Sequence, residues 1–363
     1  MSRPYQMIGY IREGPQALQR TLAAAEIPVL SLAARVREAG LRRILLTGIG
    51  SSYTAAMMAL PVFRYHGRLP TYVLPGPEMR YYASRWVDRH ALVIAISRSG
   101  ERGVVVDALA EAVRRGALGV AVTAVPDSLL AQQSQVTLST AEGAESAWPK
   151  TKSVLAATGL LMRLGLALAE PDDGEAAARL AVLRSLPQAL SEVLQAGEAV
   201  LPGLVPDVCR NELVAVAGTG GNYGVAIEGA MKIMEASAVP TRFDTTDGLL
   251  SGPLGGMGPR WLVLPLVTAT DLEQSRELLR VARRLGAYTL AISAPGLELS
   301  GLAHQALILP AAPDPLLEAL LYLVPLQLLA YYWTVARGMN PDAPVSMQTI
   351  LDALLPPGRQ EPQ

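Results

Sequence analysis

Apolar runs of four to six residues recur along the chain and alternate with stretches whose apolar positions follow helical spacing. Ala91-Leu92-Val93-Ile94-Ala95-Ile96 is the clearest run. Ile44 to Thr47, Gly119 to Thr123 and Gln135 to Leu138 belong to the same series. Runs this short and this continuously apolar predict strands of a parallel sheet covered on both faces by helices. The series then returns: Ile44 to Gly50 reappears as Val214 to Gly220, Leu92 to Ser97 as Leu262 to Val267, Gly119 to Thr123 as Thr289 to Ser293, and Gln135 to Leu138 as Gln305 to Ile308. The expected fold is therefore α/β, with two doubly wound parallel-sheet lobes and long flanking helices. Helices are expected over Gly14 to Ala39 and Ala176 to Leu201, and a last one from Pro315 to about Arg337, stopped by Gly338 and Pro341. The acidic stretch Glu170-Pro171-Asp172-Asp173-Gly174 is the expected linker, giving lobes at 1–172 and 173–363.

Composition narrows the picture. At 363 residues the chain is long enough for two lobes, each with its own core. A formal net charge of -1 lacks the basic footprint of a nucleic-acid binder. The single cysteine, Cys209, excludes an internal disulfide framework, fits a reducing cytoplasm, and reads as an inert core thiol. The apolar stretches Val154 to Ala169 and Leu316 to Ala330 are interrupted by Arg163, Glu318, Pro325 and Gln327, and read as buried helices, not membrane spans. His66, His90 and His304 fall in unrelated contexts, so no metal site is expected.

Candidate chemistry sits where strands empty into helices. Ser97-Arg98-Ser99-Gly100-Glu101 follows the apolar run 91–96 and precedes the helical pattern Val104 to Arg115. Main-chain N–H groups at a helix start, together with short hydroxyls, can surround a phosphate without a metal. A second such turn, Gly48-Ile49-Gly50-Ser51-Ser52-Tyr53, lies upstream. Two serine-rich turns in one lobe point to a phosphorylated small molecule. The equivalent of 97–101 in the second lobe is Val267-Thr268-Ala269-Thr270-Asp271, which has no glycine and fewer hydroxyls, so phosphate is expected in the first lobe only. A dinucleotide is a poorer fit: Tyr53 and Tyr223 stand where the third fingerprint glycine belongs, and no Walker-type Gly-Lys-Ser/Thr occurs. No cofactor is expected.

Five blocks carry a resemblance across nearly the whole chain. They are Gly48 to Ala55, Ile96 to Glu101, Glu145 to Ser153, Glu228 to Glu235, and Tyr331 to Gly338 followed by Asn340-Pro341-Asp342. In this order they resemble the tandem sugar isomerase (SIS) domain proteins, and are similar to the isomerase half of glucosamine-6-phosphate synthase. The resemblance implies flavodoxin-like α-β-α sandwiches. It implies a phosphate pocket at Ser52, Ser97, Arg98 and Ser99, with Arg102 in place of the synthase's threonine. Sugar contacts would fall on Gly50, Ser51, Glu228 and the loop Trp148 to Lys152, where Pro149 and Lys150 are unusual for the family and Lys150 either reaches a carboxylate or phosphate of the ligand or is a solvated lysine at a helix start. The isomerising base would be Glu235.

Isomerisation needs one group to take a proton beside a carbonyl and return it to the neighbouring carbon, and a partly desolvated carboxylate can do both. Glu228 lies two helical turns before Glu235 on the same face, with a structural role as the expectation for Glu228. The chain also departs from the synthase. The ring-opening histidine before Gly-Pro is replaced in Leu250-Ser251-Gly252-Pro253, leaving Ser251 or Asp247 to assist, and the family's C-terminal lysine falls near Thr349. With neither a glutaminase domain nor an N-terminal nucleophilic cysteine in this sequence, glutamine-dependent synthesis is not expected. Two functions remain open: an aldose–ketose isomerase or amino-sugar/fructosamine phosphate deaminase, and a non-catalytic sugar-phosphate sensor. The partners expected are a phosphorylated sugar or amino sugar and a second copy of the chain, with no nucleic acid and no membrane. In that homodimer the loop Asp247 to Ser251 would lie near a partner's pocket.

Overall fold

A computed structural model of the protein describes residues 5–101, 103–310, 314–344 and residue 349. Two five-stranded parallel sheets form its frame. The first contains β1 (Arg43–Gly48), β2 (Thr71–Pro75), β3 (Ala91–Ile96), β4 (Leu118–Thr123) and β5 (Val136–Ser139), in spatial order β2-β1-β3-β4-β5. The second contains β6 (Leu213–Ala217), β7 (Thr241–Asp244), β8 (Trp261–Val267), β9 (Tyr288–Ser293) and β10 (Gln305–Ile308), in the matching order β7-β6-β8-β9-β10. The central strands β3 and β4 are buried along their whole length, which is why they read as unbroken apolar runs. Strands β2 and β7 are edge strands with partly exposed residues, and their short mixed sequences gave no such signal.

The helices are α1 (Gln6–Ala24), α2 (Glu26–Glu38), α3 (Ser51–His66), α4 (Gly76–Tyr81), α5 (Val104–Arg114), α6 (Leu129–Gln132), α7 (Lys152–Ala167), α8 (Gly174–Val208), α9 (Gly221–Ser237), α10 (Thr246–Leu250), α11 (Leu272–Arg284) and α12 (Ala319–Ala336). The single helix expected over 14–39 is two helices broken at Ala25. Pro28 falls in the first turn of α2, where its missing N–H leaves no intrahelical bond unmade. The expected Ala176–Leu201 helix runs longer, from Gly174 to Val208. Its start is capped by Asp173 Oδ1, which accepts from Ala176 N at 2.9 Å.

The expectation of a separate core in each lobe holds only for the smaller clusters, one confined to the first lobe and two to the second. The largest hydrophobic cluster runs through both, joining Leu46, Ile94 and Phe63 of the first to Val216, Leu264 and Trp333 of the second. Helices α3 and α7 of the first lobe and α8, α9 and α12 of the second interleave across the boundary, so both sheets rest on one apolar layer. Helix α12 is long and apolar enough to cross a membrane by length and composition, yet every residue from Ala319 to Ala330 is buried in that layer.

Candidate functional site

In an open parallel sheet, ligands sit beyond the carboxyl ends of the strands where the strand order reverses. In the first sheet that point lies between β1 and β3. The chain leaving β1 turns through Gly50, at φ +54°, into α3. The chain leaving β3 turns through Ser97 to Gly100 before α5. The first turn is tight: a side chain at Gly48 would come within 2.9 Å of Tyr53 N. The second is pinned from behind, since Thr123 Oγ1 and Ala124 N both donate to Arg98 O at 3.0 Å, and Gly100 N donates to Ser97 Oγ at 3.2 Å.

A cavity of about 190 Å³ opens here. Ser51 and Ser52 line it from α3, Arg98 from the β3 turn, Thr123 and Thr140 from the ends of β4 and β5, Glu142 from the segment beyond, and Lys150, Ser153 and Val154 from the start of α7. The wall contributed by α7 is shaped by Glu145. Its buried carboxylate accepts from Thr151 N, Thr151 Oγ1 and Lys152 N at 2.7, 2.8 and 3.0 Å, and from Ser153 Oγ at 2.5 Å. It therefore satisfies the orphan N–H groups of that helix end from outside the helix. The Lys150 ammonium donates to the carbonyls of Ala147 and Glu145 at 2.8 and 3.2 Å.

The second lobe reaches this cavity through α9. Glu228 is fully buried, accepting from Ser51 Oγ at 2.9 Å and Thr54 Oγ1 at 2.6 Å, so a hydroxyl of the cavity wall is bonded to the other lobe. Lys232, one turn on, stands 3.5 Å from Glu228 Oε1 and 2.5 Å from Glu235 Oε2. Burial pulls the Lys232 pKa down, but the two carboxylates outweigh it, raise the pKa, and keep the side chain an ammonium. Burial pushes the Glu228 carboxyl up, against the pull of Lys232 and the Thr54 and Ser51 hydroxyls. Glu235 sits at the open end of this chain, its side chain 24% exposed.

Of the residues singled out from sequence, Ser51, Ser52, Arg98 and Lys150 share the cavity wall, and Gly50 forms the N-cap of the helix that carries the two serines. Ser97 and Ser99 lie on the turn that supplies Arg98. Glu228 contacts Ser51 without lining the cavity, and Glu235 is joined to it only through Lys232. Trp148 is half-buried outside the wall, its N–H donating to Asp342 O at 2.8 Å. Asp247 and Ser251 belong to α10 and its C-cap, in the second lobe; Ser251 Oγ donates to Gly248 O at 2.8 Å. Neither lines this cavity. Arg102 lies outside the described residues.

Sequence reasoning missed Lys232, Thr54 and Glu142. The spacing Glu228, Lys232, Glu235 was a legible signal for the first, because residues three and four apart meet on a helix. Glu142 had no local signal.

The second sheet's switch point is built differently. Asp271 is buried there, its carboxylate accepting from Thr219 Oγ1, Thr246 Oγ1 and Thr268 Oγ1 at 2.8, 2.8 and 2.9 Å. The protein's own carboxylate thus engages the hydroxyls at this point.

The chain matches the SIS domain twice, over residues 39–167 and 210–337. It is 31% identical over 352 residues to glutamine–fructose-6-phosphate aminotransferase [isomerizing] of Symbiobacterium thermophilum, covering 93% of this chain and 57% of that one. It thus spans little more than half the length of that curated relative. Among solved structures, the C-terminal domain of glucosamine-fructose-6-phosphate aminotransferase from Francisella tularensis superimposes with a TM-score of 0.84 at 23% identity, covering 94% of this chain and 99% of that one. Glucosamine-6-phosphate deaminase from Thermotoga maritima does so with a TM-score of 0.76 at 23% identity, covering 94% and 97%. Those two likenesses speak for the fold. The two matched SIS segments fill well over half of the sequence, and the chain belongs to the SIS domain family.

Proposed function

We propose that the protein binds a phosphorylated sugar or amino sugar at the first-lobe switch point and moves a proton between neighbouring carbons of it, as an aldose–ketose isomerase or an amino-sugar or fructosamine phosphate deaminase. The observation that carries this reading is the chain of contacts from the cavity wall into α9: Ser51 to Glu228, then Lys232, then Glu235. Phosphate would rest on Ser52 and the Ser97–Ser99 turn, with Arg102 at its edge. That remote binding energy would hold the reactive carbons in place. Glu235, the partly exposed carboxylate at the end of the chain, would take the proton beside the carbonyl and return it one carbon along. Lys232 would act as a positioning residue, aiming Glu235 by its hydrogen bond. Ser251 and Asp247 would act on the ring from α10, directly or through a partner copy in a homodimer. Exposed Met234 of α9 and Phe243 of β7 supply apolar surface for such an assembly.

The relatives' names support the substrate class: one is an isomerizing fructose-6-phosphate aminotransferase and another a glucosamine-6-phosphate deaminase. One observation favours the sensor reading instead, namely that Glu235 does not line the cavity and is engaged by Lys232. Incubation with fructose-6-phosphate or glucosamine-6-phosphate in D2O separates the two. Deuterium entering C1 or C2 by NMR, and lost in Glu235→Gln, supports the enzyme. Binding without exchange in the wild type supports the sensor.

A further inference from the structure

Among the described residues Glu142 is the only carboxylate lining the cavity, and the proposed chemistry leaves it unused. Its side chain is fully buried, yet neither carboxylate oxygen finds a hydrogen-bond partner in normal geometry. The closest cation is Arg98, whose Nε stands 3.5 Å from Glu142 Oε1 and is itself without a hydrogen-bond partner. Glu142 and Arg98 both line the cavity, and the Arg98 side chain is 32% exposed above the carboxylate. A buried carboxylate without a well-formed hydrogen bond is costly, and such groups in native structures are normally paired or serve a ligand. Burial pushes the Glu142 carboxyl up and Glu145 adds to the rise, against the pull of the nearby Thr140 hydroxyl, the main-chain N–H of Glu142 and then Arg98.

Charge counting points to what completes the site. Among the described residues the cavity wall carries two cations, Arg98 and Lys150, and one anion, Glu142. That sum of one positive charge matches a ligand bearing a dianionic phosphate and one ammonium better than a ligand bearing phosphate alone. We propose that Glu142 is a specificity-determining residue that accepts a hydrogen bond from a protonated amine of the ligand, taking it in exchange for Arg98 as Arg98 turns to the phosphate. The exchange costs little at its first step, because the Arg98–Glu142 contact is too long to be a hydrogen bond. This assignment rests on the phosphosugar reading and narrows its substrate class to sugar phosphates that carry a free or alkylated amine.

Glucosamine-6-phosphate and glucose-6-phosphate differ only in an ammonium against a hydroxyl, and titration calorimetry of both on the wild-type protein tests the assignment without any variant. The expected result is binding of the amino sugar at least about tenfold tighter, the scale of one charge-assisted hydrogen bond. In Glu142→Gln the preference shrinks to about threefold or less, while inorganic phosphate binds no more weakly than to the wild type. Equal binding of the two sugars by the wild type, or a preference that survives in Glu142→Gln, overturns the assignment and leaves the phosphosugar reading intact. Failure of both sugars and of inorganic phosphate to bind overturns the phosphosugar reading and the assignment with it.

Discussion

At the scale of single residues, the site is built from charges that only other charges keep in place. Lys232 is buried between Glu228 and Glu235, so replacing it leaves two carboxylates facing each other without a counter-ion. Lys232→Met is expected to lower stability by about 3 kcal/mol, measured by urea unfolding. Glu235→Gln, at the partly exposed end, is expected to cost less than about 1 kcal/mol while abolishing proton exchange. Glu318 offers a pH test. Burial first, then Asp271 and Asp314, raise its pKa from 4.5 to about 8. The folded state therefore holds a proton that the unfolded state releases near pH 4.5. The stability Glu318 contributes is fully present below that value and is lost as pH rises towards 8. Relative to wild type, Glu318→Gln should gain on the order of 2 kcal/mol at pH 9 and nothing at pH 4, read from thermal melts at both. Much of the residue-level picture was legible: Ser51, Ser52 and Arg98 meet in one cavity because strand-to-helix turns have a recognisable composition, and Lys150 joins them from the loop that the family resemblance marked. Glu142 was not legible, since its meaning lies in a cavity closed by segments far apart in sequence.

At the scale of elements, the two lobes share one strand order and one loop geometry but diverge in what the loop holds. Gly50 and Gly220 adopt nearly the same backbone, at φ +54° and +62°. In the first lobe the next turn offers serines and a cavity. In the second, Asp271 gathers the hydroxyls of Thr219, Thr246 and Thr268 to itself. The absence of glycine at 267–271 suggested that phosphate belongs to the first lobe, and an internal carboxylate supplies a physical reason for that expectation. Asp271→Ala strands three hydroxyls and should cost about 3 kcal/mol by denaturant unfolding. Element boundaries were less legible where the pattern was weak. What read as one N-terminal helix is two, meeting at Ala25, and the edge strands β2 and β7 carry no apolar run to mark them.

At the scale of the whole molecule, the largest apolar layer runs between the sheets, with smaller clusters confined to each lobe. Sequence periodicity shows which face of a helix is apolar but not whose sheet that face will cover, so the shared core lay beyond it. Helices such as α12 draw their burial from both halves, and the lobes are expected to unfold together. A calorimetric scan should show a single transition with van't Hoff and calorimetric enthalpies in agreement. Two resolved transitions would mean that the lobes hold separate cores after all. The same layer fixes α9 against α3, the packing that brings Glu228 to Ser51 and links Glu235 to the first-lobe turn through Lys232.

The most direct measurement is a crystal structure of the protein with fructose-6-phosphate bound. Phosphate is expected on the hydroxyls and main-chain amides of Ser52 and Ser97 to Ser99, with C1 and C2 within about 3 Å of the Glu235 carboxylate or one water away. A sugar whose phosphate lies away from both turns, or whose carbons Glu235 cannot reach while it stays bonded to Lys232, would contradict it.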